Sequence, residues 1–137
     1  MAPVVTGENP LRTASALARE GRLDDAIACL ESALAVTRSQ TQRPANTSLV
    51  AKTAAVLCEQ DGRLLKAASY YDEAIASGDA EPLTFVALAD VKHRLGRANE
   101  AEACLARAEA LAQPAGDGDA MTAAANARAR WTGGRGK

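Results

Sequence analysis

The sequence predicts an all-α protein built as a stacked helical repeat, an α-solenoid of seven helices. Three observations predict it. A block occurs three times: Gly21-Arg22-Leu23-Asp24-Asp25-Ala26, Gly62-Arg63-Leu64-Leu65-Lys66-Ala67 and Gly96-Arg97-Ala98-Asn99-Glu100-Ala101. Each block is followed, seven residues after its alanine, by another alanine, at Ala33, Ala74 and Ala108. The second and third glycines stand 34 residues apart, and no stretch shows strand-like alternation.

The elements follow in order. Residues 1–7 form a flexible end. Asn9 caps a first helix with Pro10 at its first position, where a missing N–H costs nothing. That helix runs to about Glu20, and Gly21 ends it. The second helix spans about Leu23 to Thr37, with Leu23, Ala26, Ile27, Leu30, Ala33 and Leu34 on one stripe. The polar segment 39–48 holds Pro44 and Asn46 and reads as a loop. It accounts for the longer interval between the first two glycines. A third helix covers about Thr47 to Gln60, a fourth Leu64 to Ser77, a fifth Pro82 to Leu95 and a sixth Asn99 to Ala112. The run from Pro114 to Gly118 reads as a break. Asp119 then caps a seventh helix ending near Trp131, with Ala120, Ala124, Ala127 and Trp131 along one face. Residues 132–137 read as a second flexible end.

Composition narrows the classes of function. Aromatic content is 3% and formal charge is −1 in 137 residues. This alanine-rich composition builds a core from many small contacts. Overall charge gives no nucleic-acid or membrane signal. Cys29, Cys58 and Cys104 are odd in number and widely spaced, so neither a disulfide framework nor a zinc site is read from them. No segment approaches the roughly 20 apolar residues of a membrane span. The first residues lack the basic stretch and apolar run of a signal peptide, which makes the cytoplasm the expected location. Neither metal nor cofactor is expected.

Three helix–turn–helix units with these spacings resemble tetratricopeptide repeats, with repeats at about 8–39, 48–80 and 82–114 and a capping helix at 119–131, one domain over 8–131. The family places a small residue in the first helix of each unit, and Ala14, Ala55 and Ala89 match. The turn glycines come next. The second helices match with small Ala26, Ala67 and Ala101, large Leu30, Tyr71 and Leu105, and small Ala33, Ala74 and Ala108. The family's early tryptophan is replaced by Pro10, Ala51 and Phe85. Its closing proline is absent at Arg38 and Asp79 and comes one residue late as Pro114.

The resemblance implies a short superhelix that acts as a protein–protein interaction module, an adaptor or scaffold and not an enzyme, binding a peptide or helix in a concave groove lined by first helices. By register the groove residues are Leu11, Ser15, Arg19, Lys52, Val56, Glu59, Val86, Asp90 and His93. One groove type in the family clamps the C-terminal carboxylate of chaperones with basic residues. The matching places here hold Leu11, Ser15, Thr53, Leu83 and Ala87, which form no charged clamp. The alternative is a self-associating structural subunit, and oligomeric state stays open.

Other side chains read more plainly. His93 is the sole histidine, and no nucleophile or carboxylate motif accompanies it, so it reads as a groove or surface residue. Asp24-Asp25 and Asp72-Glu73 read as solvated faces or helix-dipole partners. Arg22, Arg63 and Arg97 form a basic edge or pair with nearby acids. Glu102 and Glu109 stand where Ile27 and Leu34 face the next unit, so a polar surface ends the array there. Trp131 is expected to pack on the third repeat, while Arg128, Arg130, Arg135 and Lys137 stay solvated. Those charges lack a base-reading element, and no nucleic-acid partner is expected.

Overall fold

Glycine-closed helix ends organise the chain. The computed structural model describes residues 9–38 and 46–135. Residues 1–8, 39–45 and 136–137 lie outside the described residues, and with them the expected flexible start at 1–7 and most of the expected loop at 39–48. Among the described residues there are seven α-helices and no strand. They are α1 (Pro10–Arg19), α2 (Leu23–Arg38), α3 (Thr47–Gln60), α4 (Leu64–Ala76), α5 (Pro82–Arg94), α6 (Ala98–Ala115) and α7 (Gly118–Arg135). They fall into two compact units, Met1–Asp79 with α1 to α4 and Ala80–Lys137 with α5 to α7.

The turn at Gly62 shows why the repeated block exists. The Gly62 N–H donates to Glu59 O at 3.1 Å and the Arg63 N–H to Cys58 O at 2.8 Å. This pair of bonds is the Schellman closure of a helix end. It requires the left-handed conformation, and Gly62 has φ +79. The same two bonds close α1 at Gly21 and α5 at Gly96. A Cβ at Gly62 would meet nothing within 4 Å, so any penalty comes from the backbone alone. Gly62→Val is expected to cost about 1–2 kcal/mol, read as a lower thermal midpoint. An unchanged midpoint would contradict the requirement for positive φ.

In the first unit α1 pairs with α2 and α3 with α4, while α3 also packs on α2 and, more lightly, on α1. The repeat positions explain the close fit. Ala14, Ala26, Ala55, Ala67 and Ala74 are fully buried beside Leu30 and Tyr71. Small side chains let the backbones approach, and large ones fill the space between. Ala33 is the exception, half-buried.

Charged side chains then tie α2 to α4. Asp24, Glu31 and Arg38 recur every seven residues along α2. Arg63 pairs with Asp24. Lys66 and Tyr70 both donate to Glu31 Oε2, at 2.8 and 2.6 Å. Arg38 forks onto Glu73 at 2.5 and 3.1 Å. Burial opposes ionisation of Glu31, but the bonds from Lys66 and Tyr70 outweigh it and hold the carboxyl below its ordinary value. Beside this network, burial pushes the Cys58 thiol up, which makes it a packing group and not a nucleophile.

In the second unit α5 pairs with α6, and α7 packs on both. Three sequence expectations are corrected here. The sixth helix does not break before Pro114 but continues to Ala115, with Pro114 in its last turn. The missing N–H there costs one bond next to carbonyls that a helix end already leaves short of partners. Gly116, at φ +69, then makes the turn. Asp119 is not the cap. The Ala120 N–H donates to Asp117 Oδ1 at 3.1 Å, so Asp117 caps α7. The last helix also runs past Trp131 to Arg135, and 132–135 are helical, not an irregular end. Thr132 Oγ1 bonds back to Arg128 O at 2.9 Å, within the helix.

Candidate functional site

Each stripe of sequence-predicted groove residues sits on one helix face, because residues three and four apart share a face. The first unit holds six of them. On α1, Leu11 is half-buried, while Ser15 and Arg19 are exposed. Asn9 positions this helix, its Oδ1 accepting the Leu11 N–H at 3.0 Å. On α3, Lys52 Nζ lies 3.7 Å from Asp79 Oδ2, whose side chain is only 7% exposed. The ammonium therefore anchors the end of α4. Glu59 accepts the Tyr71 hydroxyl at 3.0 Å and is likewise engaged inside the unit. Val56 is 37% exposed and Leu49, two turns earlier, 50%.

The second unit holds the other three, and α7 meets all of them. Val86 packs against the buried cluster of Ala89, Ala101, Leu105, Ala124 and Ala127. Asp90 lies 3.8 Å from Arg94 and 3.5 Å from Arg130 of α7. His93 stacks on Trp131 with ring centroids 4.3 Å apart and planes within 2°. Trp131 thus packs on the third helix pair, as the sequence predicts.

Arg128 corrects the expectation that the basic residues of this helix stay solvated. Its guanidinium forks between Glu102, with Nε donating at 2.7 Å, and Glu109, with Nη2 donating at 3.1 Å. The two glutamates that mark the end of the array are answered by one arginine from the capping helix. A guanidinium offers a planar fork of donors, which suits two carboxylates one helical stretch apart. The sequence places Arg128 directly after the buried Ala127 and three residues before Trp131, beside the stripe that docks. Its partners depend on how α7 crosses α6, which spacing along one helix does not encode.

The Arg128 bonds hold the Glu109 carboxyl below its ordinary value, against a smaller effect of burial. A carboxylate lowered in the folded state contributes stability that is complete above its unfolded value and lost as pH falls through the folded one. Acidification from about pH 6 to about pH 3 is therefore expected to loosen α7 and shift Trp131 emission to the red. An Arg128→Gln variant lacks that linkage and should shift less. Equal shifts in both proteins would contradict the role of this pair.

Among the described residues no group of three or more His, Cys, Asp or Glu side chains is placed to hold a metal. No helix there is long and apolar enough to cross a membrane.

Paired helices, glycine-closed turns and a buried small–large–small pattern define an α-helical repeat protein. A family model described as tetratricopeptide repeat matches residues 9–78, just over half of the chain. The chain belongs to that family, whose fold serves protein–protein interaction. Comparison with curated proteins finds no match.

Proposed function

We propose that this protein is an adaptor or scaffold whose α1–α3 surface receives a peptide or a helix of a partner protein. The observation that carries the reading is the exposed apolar pair Leu49 and Val56 on one face of α3, in a unit whose neighbouring helix carries exposed Ser15 and Arg19. Single exposed apolar side chains are ordinary, but an apolar centre with polar neighbours is how interaction surfaces are built. Lys52 and Glu59 sit on the same stripe and fix the surface through Asp79 and Tyr71. Arg19 and Val56 are the residues free to select a partner.

The test is retention of a partner from native extract by the immobilised full chain, compared across variants. Val56→Glu and Arg19→Glu are expected to abolish retention with unchanged helix content. Leu65→Glu, at an exposed apolar position on α4 (64% exposed), is expected to leave it intact. Loss with Leu65→Glu alone would move the site off α3.

A further inference from the structure

The α5–α6 pair carries a second surface, and α7 shows what fits it. We infer that the face bearing Val86, Asp90, His93, Glu102 and Glu109 is a helix-binding site that α7 occupies in cis. Its external ligand is a basic helix with small residues at the places of Ala120, Ala124 and Ala127, an arginine at that of Arg128 and an aromatic ring at that of Trp131. This site lies outside the α1–α3 surface and uses none of its residues.

Within the first unit, α3 packs on both helices of the pair before it. Its buried residues Thr47, Ala51, Ala54 and Cys58 have the spacing of Ala120, Ala124, Ala127 and Trp131. In the second unit α7 takes the same place on α5 and α6. The resemblance ends at the far side. The helix α3 is clasped by α4, whereas α7 leaves Thr122, Ala125, Asn126 and Ala129 exposed. It is held from one side only.

Three features make that hold exchangeable. The fully buried positions of α7, Ala120, Ala124 and Ala127, each remove only one methyl from water, and the apolar drive scales with area removed, which leaves Trp131 as the one large apolar contact of the stripe. Among the described residues the indole Nε1 of Trp131 is buried without an acceptor. An unsatisfied buried donor is a standing cost of the docked state, and a ligand with a ring lacking N–H escapes it. The charged contacts of Arg128 and Arg130 are partly exposed and weaken with salt. A competing helix can therefore reproduce every favourable contact and omit the unfavourable one. Selectivity comes from charge, since Glu102, Glu109 and Asp90 call for basic groups and repel an acidic helix.

The experiment uses the full chain and a fluorescein-labelled synthetic peptide of residues 118–135. In Arg128→Glu the cis helix meets Glu102 and Glu109 with a third carboxylate and is released. The peptide, which keeps its arginine, is expected to bind this variant at least about tenfold more tightly than the wild-type chain, because a face occupied in cis lowers apparent affinity by its open fraction. Adding Glu102→Arg and Glu109→Arg restores opposite charge between the face and the cis helix, which closes the face again and should abolish peptide binding. Should Arg128→Glu lose more helix than α7 contains, Trp131→Ala replaces it as the releasing variant. Equal or absent peptide binding in wild type and releasing variant overturns the proposal and makes α7 a fixed cap. A wild-type dimer in light scattering that Arg128→Glu dissolves would assign the face to a second copy's α7 and overturn an external ligand. Val56→Glu should leave peptide binding unchanged, so failure here is distinguishable from failure of the α1–α3 surface.

Discussion

Tyr71→Ala is expected to destabilise the protein by about 3–5 kcal/mol, the range for truncating a large buried aromatic side chain. Tyr71 is the largest of the fully buried side chains, 2% exposed. It holds the large position of the second repeat, between Ala67 and Ala74, both fully buried. Alanines cannot relax into the space its ring leaves, because their side chains have no further rotamers. The cavity therefore persists, and the penalty lies above the simple transfer term. Tyr71→Phe separates ring from hydroxyl. It keeps the volume and removes the bond to Glu59, for an expected loss of about 1 kcal/mol. Urea unfolding followed by circular dichroism measures both, as midpoint shifts at constant slope. A Tyr71→Ala shift no larger than that of Tyr71→Phe would show that the ring does not carry the packing.

The two variants separate what the sequence displays from what it hides. Features set by local backbone chemistry were legible. Gly21, Gly62 and Gly96 recur because one hydrogen-bonded closure demands positive φ at each. Ala14, Ala55 and Ala89 recur because helices cross there. Asn9-Pro10 announced the start of α1 by its own chemistry. Features set by the path of one helix over another were not legible. Gly116-Asp117-Gly118-Asp119 offers two acidic caps. The choice falls on Asp117, whose N–H completes the Gly116 closure on Ala112 O at 3.0 Å and whose side chain then faces Ala120. The ladder from α2 to α4 joins residues 35 to 39 apart, and only the seven-residue recurrence of Asp24, Glu31 and Arg38 hinted at it. The candidate groove shows the same division. Placement of Lys52, Val56 and Glu59 on one face follows from helical spacing. That Asp79 and Tyr71 engage two of them, or that α7 meets Val86, Asp90 and His93, follows only from tertiary packing.

Leu105→Ala is expected to cost about 2–5 kcal/mol and to loosen α7 with it. Leu105 is fully buried in the cluster that joins α5, α6 and α7, where its neighbours are Ala89, Ala101, Ala124 and Ala127. It is the one large aliphatic side chain among four alanines, so no neighbour can supply the lost volume. Trp131 packs against the same cluster and is the only tryptophan, which makes its emission a local reporter of α7. Leu105→Ala should shift that emission to the red and raise quenching by iodide in the absence of denaturant. Leu105→Met roughly conserves volume and is expected to cost under about 1.5 kcal/mol, with the emission unchanged. The contrast matters because the ion pairs of Arg128 remain intact in both variants. If Leu105→Ala leaves Trp131 emission and quenching at wild-type values, the fork onto Glu102 and Glu109 and the stack on His93 hold α7 without help from the apolar cluster. If both change as expected, burial of this single leucine sets how tightly the helix is held, and the charged contacts decide which helix is accepted.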